Sequence, residues 1–277
     1  MKIDVAERPG VGLDGQERPS EDVVVVLPNA VVVLDGATTL LPGRRSGGWY
    51  ATLLSGQIAG RLTGYPDMDL ADLLAAAIGA LAREQDLVAG DAPASTVAIA
   101  RWSGDTVEGL VLGDSPIVAV TAQGPQVLAD ERLATLPRTG PGYRSRLRAG
   151  GGYGADHVAA LRTSAVGVDR LRNTEGGYWV AEADPDAAYH AVRARWPRAD
   201  VRQVLLASDG VSCGVDDYGI LDWPAAVELV TTAGAQAMLD AVRAAEEQDR
   251  DGARWPRPKP HDDQALVVVD LQSENRD

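Results

Sequence analysis

DVVVVLPNAVVVLDG, residues 22–36, is two runs of branched aliphatic side chains separated by Pro28-Asn29. Val-rich runs of this length favour strands, and Pro-Asn between them is a turn signal. The stretch therefore predicts a β-hairpin, with strands at 22–27 and 30–34. Its two ends are acidic: Glu21-Asp22 opens the first strand and Asp35-Gly36 closes the second.

Outward from the hairpin the apolar period changes. Residues 47–62 carry Trp49, Leu53, Leu54 and Ile58 at helical spacing, and 70–85 repeat that pattern behind Asp67 and Asp69, either of which can cap a helix. Short strands are predicted at 95–101, 106–112 and 116–120, as an antiparallel meander joined by Ser103-Gly104-Asp105 and Gly113-Asp114-Ser115. The Gly- and Arg-rich stretch 138–154, with Arg144, Arg146 and Arg148, reads as a mobile solvated loop. Residues 179–181 read as a strand. Residues 185–196 read as a helix with Asp184 at the N-cap and Pro185 in the first turn. A buried strand at 201–208 ends on Asp209-Gly210. Helices follow at 223–231 and 236–247, then a Pro- and Arg-rich linker at 254–260, a last strand at 265–271 and a polar tail at 272–277. Helices come in pairs between blocks of strands, which predicts an α+β layered domain and not a doubly wound parallel sheet. No internal repeat divides the 277 residues, so a single domain over 1–277 is expected.

Lys and Arg total 26 against 40 Asp and Glu, a formal net charge of −14. Nucleic-acid affinity rests on neutralising phosphates with Lys and Arg, so that class of partner is not expected. A chain this acidic that handles a phosphorylated substrate needs local positive charge, and bound metal is the natural source. Hydrophobic residues make up 45%, enough for a sizeable core, yet no window reaches the ~20 apolar residues of a membrane span. The single cysteine, Cys213, allows no internal disulfide, and MKIDVAERPG has no apolar leader core, so a cytoplasmic setting is expected. Cys213 reads as a small buried residue.

Four acidic sites share one context. Glu21-Asp22, Asp35, Asp209 and Asp262-Asp263 each sit beside a β-like apolar run. Singly, an Asp there is a turn former. Together, strands lying side by side would bring several carboxylates to one rim, where they repel unless a cation or proton intervenes. Oxygen-only ligands point to Mg²⁺ or Mn²⁺, and the three histidines, His157, His190 and His261, have no paired spacing for zinc.

In chain order, SED (20–22), VVVLDG (31–36), ASTVAIA (94–100), LVLGDS (110–115), VLLASDG (204–210) and DDQALVVV (262–269) resemble the metal-dependent, type 2C serine/threonine protein phosphatases. The resemblance implies a central sandwich of two antiparallel β-sheets flanked by pairs of helices, in four layers, with two divalent ions at one edge. It implies that Asp35 bridges the ions and Gly36 offers its carbonyl to one. Asp209 and Asp263 would bind the other, with Asp22 and Glu21 in support, partly through water. Asp114 matches a position linked to a further, weaker ion. The implied reaction is hydrolysis of phosphoserine or phosphothreonine in a protein partner by a metal-activated water. The chain departs from the family in four places. Ala37-Thr38-Thr39-Leu40 stands where bacterial members carry two Gly and a His able to serve as general acid. Cys213 stands where a further Asp often supports a third ion. Gln264 replaces the usual Asn. Arg18, matched to a phosphate-binding Arg, lies one residue nearer Asp22 than usual. A weak or inactive member that binds a phosphorylated partner, and a small-molecule phosphatase, are the alternatives these departures leave open.

Overall fold

A computed structural model describes residues 1–40, 45–137 and 142–272. Ten strands and eight α-helices follow in order: β1 Lys2–Arg8, β2 Asp22–Leu27, β3 Ala30–Asp35, α1 Gly47–Gly64, α2 Leu70–Glu84, β4 Val97–Trp102, β5 Thr106–Leu112, β6 Ile117–Thr121, β7 Gly124–Leu128, α3 Arg132–Thr135, α4 Tyr143–Arg148, α5 Ala155–Asp169, β8 Val192–Pro197, β9 Val201–Ala207, α6 Asp209–Asp216, α7 Trp223–Ala233, α8 Ala235–Gln248 and β10 Gln264–Asp270, counted among the described residues. They build two five-stranded antiparallel sheets, ordered β1-β10-β9-β6-β7 and β2-β3-β4-β5-β8.

The β2–β3 hairpin explains its own sequence. Val31 and Val33 face the gap between the sheets, beside Ala98, Ala100, Val204, Leu206, Val267 and Val269. Val32 and Leu34 face the other way, against Leu54 and Ile58 of α1 and Leu74 and Ile78 of α2. A strand buried on both faces needs an unbroken apolar run, and VVVL supplies it. On the far side, α7 and α8 cover Val118, Leu205 and Leu266 with Val227, Met238, Leu239 and Val242. The result is four layers, helices–sheet–sheet–helices, as the family resemblance implies. Caps fall where the sequence offers them. Asp69 accepts the Ala71 and Asp72 N–H groups at the start of α2, and Asp222 accepts that of Ala225 in α7.

Four expectations fail locally. The helix expected over 185–196 is a single 3₁₀ stretch at Pro185–His190 followed by β8. Residues 192–197, VRARWP, alternate inward and outward, the mark of a strand, and pair with β5. Residues 179–181 make only bridge contacts, Ala181 to Ser95. Within 138–154, Tyr143–Arg148 form a helical turn, with the Arg146 guanidinium bonded to the carbonyls of Gly151 and Gly152, while 138–141 fall outside the described residues. The expected meander is broken at Gly113-Asp114-Ser115, where the chain leaves one sheet after β5 and joins the other at β6. The linker 254–260 also does more than connect, since it buries Arg257 and Lys259. Among the described residues, no helix is long and apolar enough to cross a membrane.

Candidate metal centre

Hairpin register places Asp22 directly opposite Asp35. Both lie on the same strand face as Val24, Val31 and Val33, the face turned toward the second sheet. From that second sheet, β9 ends and α6 begins at Asp209, and the approach to β10 carries Asp262. Asp114 sits at the crossover between the sheets. The sandwich edge thus gathers Asp22, Asp35, Asp209 and Asp262 from distant parts of the chain, each within electrostatic reach of the others, with Asp114 within reach of Asp209 and Asp262. Asp35, Asp114, Asp209 and Asp262 keep part of their surface open to solvent, while Asp22 is buried.

The backbone beneath them is tightly fixed. Thr96 Oγ1 accepts the Asp35 N–H at 3.1 Å, and Ser95 Oγ donates to the Asp35 carbonyl at 2.9 Å. Thr96 and Ser115 hydroxyls bond each other at 2.7 Å, so the STV and GDS motifs clamp the end of β3. Gly36 donates to the Glu21 carbonyl at 3.1 Å and abuts Gly47 and Gly48 at the start of α1, where a Cβ would meet backbone. Gly210 lies against the Asp263 carbonyl in the same way.

Electrostatics show a site short of positive charge. The Asp35 and Asp209 carboxyls approach each other. Burial, reinforced by Asp209 and Asp22, holds the Asp35 carboxyl well above the usual range. Burial, with Asp262 and Asp114 beside it, pushes Asp209 up to about 7. Burial also lifts Asp114 to about 6, with Asp130 and Asp217 contributing. Asp22 is raised well above the usual range, again first by burial. Ser208 approaches Asp22, but neither Asp22 carboxylate oxygen has a well-formed hydrogen bond. Leaving a buried carboxylate unpaired is expensive.

The other expected residues are engaged differently. Asp263 is buried, and its charge acts on Asp22, but both its oxygens already have donors. Its Oδ1 accepts the Gly10 N–H at 2.7 Å, and its Oδ2 accepts the Glu21 N–H at 3.3 Å and Arg18 at 3.4 Å. The acidic partner that faces Asp209 is its neighbour Asp262. Glu21 is bound by Arg18 at 2.6 Å and by the Gly48 N–H. Arg18 is therefore spent on Glu21 and Asp263. None of the three histidines points into the cluster. His157 bonds the Pro258 carbonyl at 2.8 Å between Tyr143 and Tyr153, His190 stacks on Trp179, and His261 bonds Glu246 at 2.9 Å. Cys213 is a thiol whose pKa burial raises well above normal, unsuited to nucleophilic attack. Two participants escaped the sequence reading. Asp262 could not be told from Asp263, because the amides that claim Asp263 lie some 240 to 250 residues earlier. Lys259, one of two lysines in the chain, is 2% exposed, with its ammonium on Asp262 and 3.9 Å from Asp263.

The donor set fits hard divalent cations. It offers carboxylates with no thiolate or imidazole among them, one buried carboxylate with two unclaimed oxygens, and a glycine carbonyl position at the end of β3. Among the described residues, however, no three His, Cys, Asp or Glu side chains converge into a ready cation cage. Repulsion between carboxylates opposes such convergence unless positive charge is present.

No protein-family model matches the chain, and no curated protein does. Solved structures do. The catalytic domain of the serine/threonine protein phosphatase PstP, in complex with two manganese ions, superposes with a TM-score of 0.52 at 16% identity, covering 97% of each chain. The PPM Ser-Thr phosphatase MsPP from Mycobacterium smegmatis, in complex with cacodylate, gives 0.55 at 16% identity over 98% of each chain. Serine/threonine phosphatase Stp1 from Staphylococcus aureus gives 0.56 at 13% identity, covering 99% of this chain and 96% of that one. The chain therefore has the fold of the bacterial PPM serine/threonine phosphatases over nearly its whole length.

Proposed function

We propose that the protein is a divalent-cation-dependent phosphomonoester hydrolase acting on phosphoserine or phosphothreonine in proteins. The observation that carries this reading is the meeting of Asp22, Asp35, Asp209 and Asp262 at one rim of the sandwich, with both Asp22 oxygens unclaimed. Asp35 and Asp209, close to each other and partly open to solvent, would hold two Mg²⁺ or Mn²⁺ ions between them. Asp22, Asp262 and the Gly36 carbonyl would complete the set, and Asp114 would serve a further, weaker ion. Bound there, the ions would lower the pKa of a coordinated water and neutralise charge on the phosphoryl oxygens. The Ser95–Thr96–Ser115 hydroxyls keep the Asp35 backbone from yielding to its neighbours' repulsion. Arg18 can grip a phosphate only by leaving Glu21, which would free a buried carboxylate. With no imidazole facing the rim among the described residues, the leaving oxygen takes its proton from solvent. General acid help is worth ~10²–10⁴ in rate, so slow turnover is expected.

A second reading, a phosphoprotein-binding module without turnover, is favoured by that same lack of a facing imidazole. One experiment separates them. Purified protein is given p-nitrophenyl phosphate, a metabolite panel and phosphopeptides, with Mn²⁺, Mg²⁺ or EDTA, beside Asp35→Asn and Asp209→Asn controls. Metal-stimulated release of phosphate from phosphopeptides, lost in both controls, supports the hydrolase. Phosphopeptide binding by calorimetry with no release above the controls supports the module. Turnover confined to one metabolite would move the substrate assignment away from proteins.

A further inference from the structure

The carboxylates at the rim are not left wholly to outside cations, because one positive charge from the chain is already among them. Lys259 lies on the stretch just before β10, 2% exposed. Its Nζ is paired with Asp262 Oδ1, the carboxylate that faces Asp209, and stands 3.9 Å from Asp263 Oδ2. Its charge reaches Glu21 and Asp209 as well. The other nearby cation, Arg18, is committed to Glu21 and Asp263, and Arg243 donates to the Asp262 backbone carbonyl, not to its side chain. Lys259 is therefore the ammonium that claims the Asp262 carboxylate. Two positive charges cannot share one carboxylate at close range without cost.

We propose that Lys259 is a built-in competitor for metal at Asp262, so that a divalent ion binds there only by displacing the lysine ammonium. This rests on the reading of the rim as a metal centre. Its consequence is unequal loading. The ion held chiefly by Asp35 and Asp22, which no internal cation claims, binds more tightly than the ion that needs Asp262. Lys259 would in the same way hold the metal-free rim together.

Calorimetric titration of Mn²⁺ into metal-free protein tests this without reference to activity. Wild type is expected to show a tighter and a weaker class of site. Lys259→Met keeps the buried aliphatic stem and removes the charge. It should tighten the weaker class by tenfold or more and change the tighter class by less than threefold, while Lys259→Arg keeps two classes. An unchanged weaker class in Lys259→Met overturns the competitor role. No Mn²⁺ binding in either wild type or Lys259→Met would instead overturn the metal centre itself. Should Lys259→Met fail to fold, the wild type still answers through its two lysines. Lys2 is exposed and serves as the reference. Mg²⁺ should raise the rate of amine acylation at Lys259 relative to Lys2 at least threefold, read by peptide mass spectrometry, and an unchanged ratio overturns the proposal.

Discussion

Two buried aspartates, Asp22 and Asp249, have opposite surroundings and should respond oppositely to the same change. Asp249 is fully used: it accepts the Arg254 and Trp255 N–H groups at 2.9 Å each and pairs with the buried Arg257 at 2.9 Å. Those donors lower its pKa against the pull of burial. Asp249→Asn leaves the buried Arg257 charge with only backbone carbonyls as partners and should cost about 3–5 kcal/mol, seen as a fall in the urea midpoint. Asp22 is buried to a similar degree but faces other carboxylates with no well-formed hydrogen bond. Asp22→Asn removes repulsion and should stabilise the metal-free protein by about 1–2 kcal/mol, a rise in Tm of roughly 2–6 °C for a chain of this size. The same change should shrink the Tm gain from added Mn²⁺. A drop in metal-free Tm for Asp22→Asn would show that Asp22 is satisfied by something other than a cation. The contrast matters for function, because only a carboxylate that destabilises the empty protein has energy to return when an ion arrives.

At the scale of elements, the centre is made by chain ends that meet, and those meetings need glycine. A Cβ on Gly210 would strike the Asp263 carbonyl, backbone that cannot swing aside. Gly210→Ala should therefore push the start of α6 from β10 and cost about 1–3 kcal/mol by overpacking, measured by chemical denaturation. Because Asp209 is the preceding residue, metal affinity should fall with it. If Gly210→Ala kept both stability and Mn²⁺ affinity, the closeness of α6 to β10 would have no part in the centre. The elements also show what a sequence reader can and cannot see. The hairpin, the α1–α2 and α7–α8 pairs and β9 were legible because each carries a long apolar period of one kind, set off by turn or cap residues. β8 was not, because Asp184-Pro185 is a good helix start and the alternation of VRARWP is short. β1 and β7 are edge strands whose polar residues dilute the signal. Within the site, Asp22, Asp35 and Asp209 were legible from their place at strand ends. That amides occupy Asp263 while Lys259 pairs with Asp262 depends on groups brought near only by the closed sandwich.

For the whole molecule, the acids at the rim make stability depend on pH in a direction opposite to that of most carboxylates. Ordinary paired acids, such as Asp249 and Glu108, have lowered pKa values, so their contribution is present above about pH 4 and fades only in stronger acid. The rim acids are raised: Asp209 to about 7 and Asp114 to about 6, from an ordinary value of 3.8. In the unfolded chain these groups ionise near pH 4, while in the folded metal-free protein they hold their protons to near neutrality. Folding then binds protons between those limits. The stability they lend is complete below pH 4 and is lost as pH rises through 6 and 7. The net charge of −14 adds general repulsion in the same direction. The protein freed of metal with EDTA should therefore melt at a higher temperature at pH 5 than at pH 7.5. Asp249 and Glu108, both still ionised at pH 5, should not reverse that order. On the proposed reading, a divalent ion would do at neutral pH what the proton does at pH 5. With Mn²⁺ in excess, the slope between pH 5 and pH 7.5 should flatten or change sign, and the Tm gain from metal should grow with pH. Melting curves on a pH grid, with EDTA and with Mn²⁺, measure both surfaces at once. Parallel curves would mean that protons and metal do not compete for the same carboxylates, and the rim could not be the place where the ions bind.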